Sequence, residues 1–253
     1  MEKIIDNQYF TASKDEQLAI VKFKDQVFDL ITNLEASQLL TNFIKETEYD
    51  KSVKGLLLTN EPKCLGSEAY DGFMKGIIKE ADRKENNSDV NNIIEKNIRF
   101  REINILNKFV KFLVNYRKLY FSALSCTVVT PFIGVILVAD IRFATPGARF
   151  HFSHKKYGLH PAGGLPFFLD HYVGHSKAVE LMLSDELSAE EAYRLGLVNR
   201  LMAPENFEMN CIRLAKEYLD IPMTTIRSTK RLINFNNSVL EEYFEYEASI
   251  LNL

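Results

Sequence analysis

Short apolar runs alternate with amphipathic stretches along the first half of the chain. The runs Leu18–Phe23 and Val27–Ile31 are rich in β-branched and aromatic residues, which favours strands. Leu34–Thr47 then has apolar residues at helical spacing, and Gly55–Leu58 is an unbroken apolar run typical of a buried strand. A strand followed by a helix and then by an apolar strand predicts a βαβ unit in a mainly parallel sheet.

The same order of elements recurs further along the chain. Tyr120–Leu124 is predicted to be a buried strand, Phe132–Ala139 a buried helix and Ile141–Ala144 a third strand, with very short connections. Upstream of these, Ile98–Arg117 is predicted to be a helix. Its buried face is defined by four apolar residues at helical spacing, Ile103, Leu106, Val110 and Leu113. The repetition supports an α/β fold.

Two regions differ in texture from this α/β pattern. Lys79–Asn97 is dense in charged and amide residues and has few apolar residues to anchor it, which predicts a mobile, solvated excursion. After Arg200 the pattern is all helical, and it predicts the helices Phe207–Leu219, Thr224–Asn234 and Val239–Leu251. We therefore expect a core over residues 1–200 and a helical C-terminal region over residues 201–253.

Composition and charge exclude several classes of function. The chain of 253 residues is 46% apolar, enough for one sizeable core, and its net charge of −3 gives no broad cationic surface for nucleic acid. The N-terminus has no secretory signal pattern, and Leu119–Ala139, although uncharged, contains Pro131 and several hydroxyl residues and is not expected to cross a membrane. The three cysteines are widely spaced, without pairs that would indicate a metal site. We expect a cytoplasmic protein with no bound metal.

One segment carries a specific resemblance to a known family. Asp185–Arg200 resembles the crotonase segment that reads in general form "GxxxSAEEAxxxGLVNxV". The segment also has a local structural interpretation, because Ser188 can cap a helix whose third residue is Glu191, and Gly196 can end that helix. Both interpretations agree, and neither makes this segment catalytic.

Two upstream segments extend the resemblance to well over half of the chain. Lys118–Ala144 aligns without a gap to the crotonase pattern "KPVIAAVNGxAxGGGxELAxxCDIRxA", and Phe150–Gly164 resembles the segment that ends in "GxxPxxGG". The chain is thus similar to the crotonase (enoyl-CoA hydratase/isomerase) superfamily. The resemblance implies the repeated ββα superhelix of that family, with a helical C-terminal region used for trimerisation and a homotrimer or hexamer as the assembly.

The resemblance also implies an oxyanion hole, in which two backbone N–H groups hold the carbonyl oxygen of an acyl thioester. One donor is the amide of Leu65, flanked by the substrate-binding residues Gly66 and Ser67, in a segment that stands for the family's "SAGADL". The second donor position falls on Pro131, which has no N–H. Thr130 and Pro131 are instead typical of a helix N-cap and first helical residue, or the amide of Phe132 takes over as donor.

The two hydratase glutamates of the family are absent in this register. The first position is Gly134 and the second is His154, so a simple hydratase loses most of its proton transfer. His154 is either a general acid or base or a polar residue that packs in a strand. By the same resemblance, Pro131, Phe132 and Gly134 are substrate-binding residues, and Tyr157 is expected to supply a further polar contact to the substrate. His151 and His160 are near in sequence but do not define a metal site.

The nucleotide part of the ligand has only weak sequence support. The family's first strand usually runs into an Arg-Pro pair near the nucleotide, where this chain has Lys22, Lys24 and Gln26 as candidate cofactor-binding residues. No separate cofactor is expected, because coenzyme A or phosphopantetheine is part of the substrate. An acyl carrier protein is therefore an alternative source of the thioester.

Two hypotheses of function follow. In the first, the protein is a lyase or isomerase, for example a decarboxylase, that acts on an acyl thioester through enolate stabilisation and lacks ordinary hydratase activity. In the second, it is a non-catalytic crotonase homologue that binds a thioester or serves as a scaffold subunit. Pro131 and Gly134 together favour the second hypothesis, whereas His154 favours the first.

Overall fold

A seven-stranded sheet forms the centre of the structure, a computed structural model that describes residues 2–84 and 102–250. Its strand order is β1-β2-β3-β4-β5-β7-β10, and a smaller sheet has the order β6-β8-β9. The strands are β1 Glu2–Asp6, β2 Phe10–Asp15, β3 Leu18–Phe23, β4 Gly55–Asn60, β5 Leu119–Leu124, β6 Val128–Val129, β7 Ile141–Ala144, β8 Arg149–His151, β9 Glu186–Ser188 and β10 Arg200–Leu201.

The large sheet is antiparallel at one edge and parallel elsewhere. The pairs β1/β2 and β2/β3 are antiparallel, whereas β3/β4, β4/β5, β5/β7 and β7/β10 are parallel. The prediction of a mainly parallel sheet is confirmed. Because the carboxyl ends of parallel strands meet at one edge, the segments that follow β4 and β5 lie side by side.

Helices pack on both faces of this sheet. They are α1 Val27–Leu30, α2 Leu34–Tyr49, α3 Ser67–Lys84, α4 over residues 102–114, α5 Phe132–Leu137, α6 Leu165–Val173, α7 His175–Leu183, α8 Ala189–Arg194, α9 Phe207–Leu219, α10 Met223–Ile233 and α11 Leu240–Ser249. Two 3-10 helices cover Ser153–Tyr157 and Asn234–Val239. The predicted C-terminal helices are confirmed within one or two residues.

Two predicted elements differ from the structure. The run Val27–Ile31 was expected to be a strand but forms the short helix α1, because Val27, Phe28 and Leu30 bury their side chains in the core in a helical turn. Local β propensity is overridden here by tertiary packing. The first residues of the expected solvated excursion, Lys79–Lys84, belong to α3, and the rest of Lys79–Asn97 lies outside the described residues.

The core lies on both faces of the large sheet. The larger apolar cluster includes the predicted inner face of α4, where Ile103, Leu106, Val110 and Leu113 are all buried. A smaller cluster lies between the opposite face of the sheet and α9, whose Phe207, Cys211, Ala215 and Leu219 are buried there. The division at residue 200 into two regions remains a proposal about folding units.

The uncharged stretch Leu119–Ala139 folds as β5, β6 and α5 within the core. Among the described residues, no helix is both long and apolar enough to cross a membrane. Cys64, Cys126 and Cys211 are free thiols, and burial raises the pKa of Cys64 and of Cys211 to about 12. These two thiols are therefore protonated at neutral pH.

Candidate functional site

Leu65 lies in the turn that follows β4 and is completely buried. Its carbonyl oxygen accepts a hydrogen bond of 2.9 Å from the backbone N–H of Val129 in β6. This bond fixes Leu65 beside the chain segment that leads into α5. Gly66 is also buried and closes the turn by donating its N–H to the carbonyl of Lys63 at 2.9 Å, and Ser67 is the first residue of α3.

Helix α5 begins at Phe132, as the apolar run predicted, and one residue after the start that the Thr130-Pro131 pair indicated. Pro131 occupies the N-cap position, and no side chain caps this helix. The expectation that Thr130 is the N-cap is therefore wrong. The Thr130 hydroxyl instead faces the imidazole Nδ1 of His154 at 3.4 Å.

His154 lies in the 3-10 helix Ser153–Tyr157. The interpretation that it packs in a strand is therefore wrong. Its side chain is 6% exposed. The neighbouring Ser153 hydroxyl donates to the carbonyl oxygen of Thr130 at 3.3 Å, so two residues of this 3-10 helix contact Thr130. The structure thus brings together the segments of Leu65, Pro131 and His154.

Gly134 has no room for a side chain. A Cβ atom built on Gly134 would lie 2.1 Å from the carbonyl oxygen of Gly163, well inside van der Waals contact. The backbone of the Gly163–Gly164 turn therefore fills the volume in which a side chain on residue 134 would begin. Gly163 and Gly164 both have positive φ angles, of 72° and 71°, which favour glycine.

A buried carboxylate from α11 holds this turn, and the sequence analysis missed it. Glu247 is 2% exposed, and its two carboxylate oxygens accept the backbone N–H groups of Gly163 and Gly164, each at 3.0 Å. Burial raises the pKa of Glu247, and the hydrogen bonds from the turn oppose that shift. A signal was present, because Glu247 lies seven residues after Leu240 and three after Phe244, on the apolar face of α11.

Aromatic rings pack around the start of α5. The ring of Phe132 lies edge-on to Phe23 and to Phe28, with centroids 5.6 and 5.5 Å away. Phe28 in turn contacts Tyr70 at 5.1 Å, and Tyr70 contacts Tyr157 at 5.7 Å. An apolar interior of closely packed rings therefore adjoins the segment of Phe132 and His154.

Tyr157 links the 3-10 helix of His154 to α3. Its hydroxyl donates to the carboxylate of Asp71, which is also paired with the ammonium of Lys156 at 2.5 Å. These two partners, Lys156 first, lower the pKa of Asp71, whereas burial and the Asp71 carboxylate raise that of Tyr157. Asp71 therefore stays ionised, and its contacts with Lys156 and Tyr157 hold α3 against the 3-10 helix of His154.

The candidate nucleotide-binding residues are already engaged in local contacts. Lys22 is paired with Glu208 of α9 at 2.6 Å. Lys24 is paired with Asp6 and also donates to the backbone carbonyl of Asn7 at 2.7 Å. Gln26 is exposed and precedes α1. Their role in nucleotide binding stays a prediction.

The described residues contain no group of three or more side chains that could hold a metal ion. What the site offers is a set of backbone amides, one imidazole and aromatic walls. Such a set can polarise a carbonyl group by hydrogen bonding and can move one proton.

The comparisons with known proteins agree with this architecture. The model of the enoyl-CoA hydratase/isomerase family matches residues 107–252. Among solved structures, enoyl-CoA hydratase from Bacillus halodurans superimposes with a TM-score of 0.76, at 18% identity over 96% of this chain and 93% of that chain. An enoyl-CoA hydratase from Polaromonas sp. JS666 gives a TM-score of 0.74, at 20% identity over 97% of this chain and 91% of that chain. The fold is that of the crotonases.

Sequence relatives point to the same family. A probable enoyl-CoA hydratase, echA12 of Mycobacterium bovis, is 26% identical over 214 residues, which are 84% of this chain and 70% of the relative. A 4-chlorobenzoyl coenzyme A dehalogenase of Arthrobacter sp is 25% identical over 220 residues, 85% of this chain and 75% of the relative. The chain belongs to the enoyl-CoA hydratase/isomerase family.

Proposed function

We propose that the protein binds an acyl thioester between the turn of Leu65 and the start of α5, and stabilises an enolate of that thioester there. The observation that carries the proposal is the hydrogen bond from Val129 N–H to Leu65 O, which aligns the two segments. This hydrogen bond is consistent with an oxyanion hole that has two donors, the backbone amides of Leu65 and Phe132, in adjacent segments of the chain. Backbone amides aimed at a developing oxyanion typically contribute about 3–4 kcal/mol each to catalysis.

His154 is the proposed proton-transfer group. Its imidazole lies 3.4 Å from the hydroxyl of Thr130. Thr130 immediately precedes Pro131, which we place at the position of the family's second amide donor. An imidazole can give or take a proton near neutral pH, whereas Gly134 cannot. A reaction that one proton-transfer group can serve fits this inventory better than hydration, which uses an acid and a base. Decarboxylation needs one proton delivered to the enolate, and isomerisation needs one proton removed and then returned by the same group.

Packing at Gly134 supports the second candidate, a non-catalytic thioester-binding or scaffold subunit. The first family glutamate is absent, and the Gly163 carbonyl fills its place. The aromatic rings around Phe132 further reduce the space open to an acyl group. In this case binding persists without turnover.

The source of the thioester and the assembly are finer proposals. We place the acyl group on coenzyme A or on the phosphopantetheine arm of an acyl carrier protein, because several relatives are named for coenzyme A thioesters. A homotrimer or hexamer in the cytoplasm is the corresponding assembly. Sedimentation velocity of the purified chain tests the oligomeric state directly.

The deciding experiment is the thermal stability of the protein with free coenzyme A and with enoyl, β-ketoacyl and malonyl thioesters of coenzyme A and of pantetheine. A ligand at 100 times its Kd adds about 2.7 kcal/mol to the free energy of unfolding. Stabilisation by a thioester beyond that by free coenzyme A supports the acyl site, and turnover of that thioester then separates the two candidates. No stabilisation by any thioester would contradict both.

A further inference from the structure

A groove runs beneath α10, at the edge of the sheet opposite Leu65. It consists of a cavity of about 600 Å³ between α10 and the end of α4, and a cavity of about 400 Å³ between α10 and the sheet. Both cavities are lined by Lys230 and Asn234, so they adjoin at these two residues. Leu119, which begins β5, lies in the wall of the second cavity. Because β4 and β5 are parallel, this amino end is remote from the turn that follows β4.

The first cavity is cationic. Arg117, Arg227, Lys230 and Arg231 line it together with Val114, Asn115, Tyr116 and Asn234, and none of these side chains is acidic. This concentration of positive charge stands on a chain whose net charge is −3. Among the described residues, the guanidinium groups of Arg227 and Arg231 have no carboxylate within 4.0 Å, and both side chains are exposed. In the part of the chain that the structure describes, these two cationic groups of the cavity have no neutralising partner.

The positive charge of this cavity affects the pKa of the neighbouring Lys118. Its ammonium is buried and donates to the carbonyl oxygens of Thr47, Asp50 and Val53 at 2.6, 2.6 and 2.7 Å. Burial lowers the pKa of Lys118, and the charge of Arg227 lowers it further, against the opposing effect of Asp50. A bound anion near Arg227 would relieve that repulsion.

The second cavity is mainly apolar, and its charged side chains are already engaged in hydrogen bonds. Most of its wall is aliphatic or aromatic, including Ile141, Ile221 and Ile226. Its acidic residue, Asp140, is paired with Lys230 at 2.6 Å. The Arg142 guanidinium is also buried there and donates to backbone carbonyl groups. An aliphatic chain in this cavity would meet mainly apolar walls, and the charged groups there already have hydrogen-bond partners.

We infer that the groove binds an amphiphilic anion, with its phosphate or carboxylate head at Arg227 and Arg231 and its aliphatic chain in the cavity beneath α10. The cationic cavity binds the anionic head group by charge-assisted hydrogen bonds. In the apolar cavity, a longer aliphatic chain buries more apolar surface and therefore binds more tightly. This site is distinct from the proposed thioester site, and neither depends on the other.

Isothermal titration calorimetry of the purified chain with octyl phosphate, hexyl phosphate, octanoate, inorganic phosphate and 1-octanol tests the inference. We expect octyl phosphate to bind, with up to about fourfold weaker binding for each methylene removed. Inorganic phosphate and 1-octanol, which each carry half of the recognised chemistry, are expected to bind at least tenfold more weakly. The ratio of octyl phosphate to octanoate affinity identifies the preferred head.

Paired variants test the location of the site. The double variant Arg227→Ala/Arg231→Ala is expected to weaken octyl phosphate binding at least tenfold, whereas Arg200→Ala/Arg213→Ala, which removes two exposed arginines elsewhere, leaves it within twofold. Thr229→Trp, which narrows the apolar cavity, is expected to weaken octyl phosphate but not inorganic phosphate. Equal losses in both arginine pairs, equal affinity for octyl and inorganic phosphate, or absence of binding would overturn the inference. Sedimentation velocity of the same samples measures self-association. The inference would also be overturned if a second copy of the chain covers the groove, so that the associated form does not bind octyl phosphate.

Discussion

The carbonyl oxygen of Gly163 lies where a side chain on Gly134 would begin, 2.1 Å from the ideal Cβ position. The resemblance of the sequence to the hydratase pattern predicts that residue 134 stands at the position of the first glutamate, and the close backbone contact gives a physical reason for glycine at this position. A carboxylate cannot be restored here by Gly134→Glu alone, because the turn of Gly163 would first have to move.

Gly134→Ala tests this contact. We expect the variant to lose about 3 kcal/mol of unfolding free energy or more, because the added methyl group overlaps backbone that other contacts hold in place. Urea denaturation followed by circular dichroism measures the loss. Gly147→Ala is the matched control, since a Cβ there meets nothing within 4 Å, and it should stay within about 0.5 kcal/mol. Equal stability of the two variants would argue against the close packing.

Glu247→Ala tests the tie between α11 and the glycine turn. Loss of the carboxylate leaves the N–H groups of Gly163 and Gly164 buried without acceptors, which costs about 1–3 kcal/mol for each unsatisfied group. Chemical denaturation gives the magnitude. Glu245→Ala, on the exposed side of the same helix, should be nearly neutral, and a comparable loss there would show that the hydrogen bonds of Glu247 to the turn are not the cause.

The raised pKa of Glu247 predicts a specific dependence of stability on pH. Because burial raises this pKa above its ordinary value of 4.5, the folded state keeps a proton that the unfolded state releases first. The stability contributed by Glu247 is therefore greatest below pH 4.5 and falls as the pH rises through the folded pKa. The difference in unfolding free energy between wild type and Glu247→Ala should shrink with rising pH. A difference that grows with pH contradicts the raised pKa.

Arg142→Lys is expected to be strongly destabilising although it keeps the charge. The guanidinium is 4% exposed and donates from Nε to Leu197 O at 2.8 Å and from Nη1 to Ala139 O at 2.6 Å. A lysine cannot reproduce this fork, and we expect a loss of about 3 kcal/mol. Thermal unfolding measures it, with exposed Arg200→Lys as a control that should change little. A loss below about 1 kcal/mol would show that the fork is dispensable.

His154→Gln separates catalysis from binding. If His154 transfers the proton, turnover of a thioester that stabilises the protein should fall at least a hundredfold while the ligand-induced stabilisation is retained. His175→Gln removes an exposed imidazole, whose side chain is 89% accessible, and should have no effect. Unchanged turnover in His154→Gln would remove this residue from the mechanism.

The sequence predicted most of the parallel sheet and the C-terminal helices, because apolar periodicity is strong in those segments. The run Val27–Ile31 was mistaken for a strand, since a four-residue buried helix has no periodicity that distinguishes it from a buried strand. Glu247 and Asp71 were missed for another reason. Both act through partners more than 80 residues away in the chain. The apolar face of α11 indicates that Glu247 is buried, but a local pattern cannot identify the distant partner of either residue.

The tie between Glu247 and the Gly163–Gly164 turn also has a consequence for synthesis on the ribosome. The turn is made 83 residues before the carboxylate that satisfies its N–H groups. A nascent chain can form the sheet early. The N–H groups of Gly163 and Gly164, however, lack the Glu247 carboxylate as acceptor until α11 has left the exit tunnel. The last turns of α11 therefore set the moment at which this end of the fold reaches its final hydrogen-bonded state.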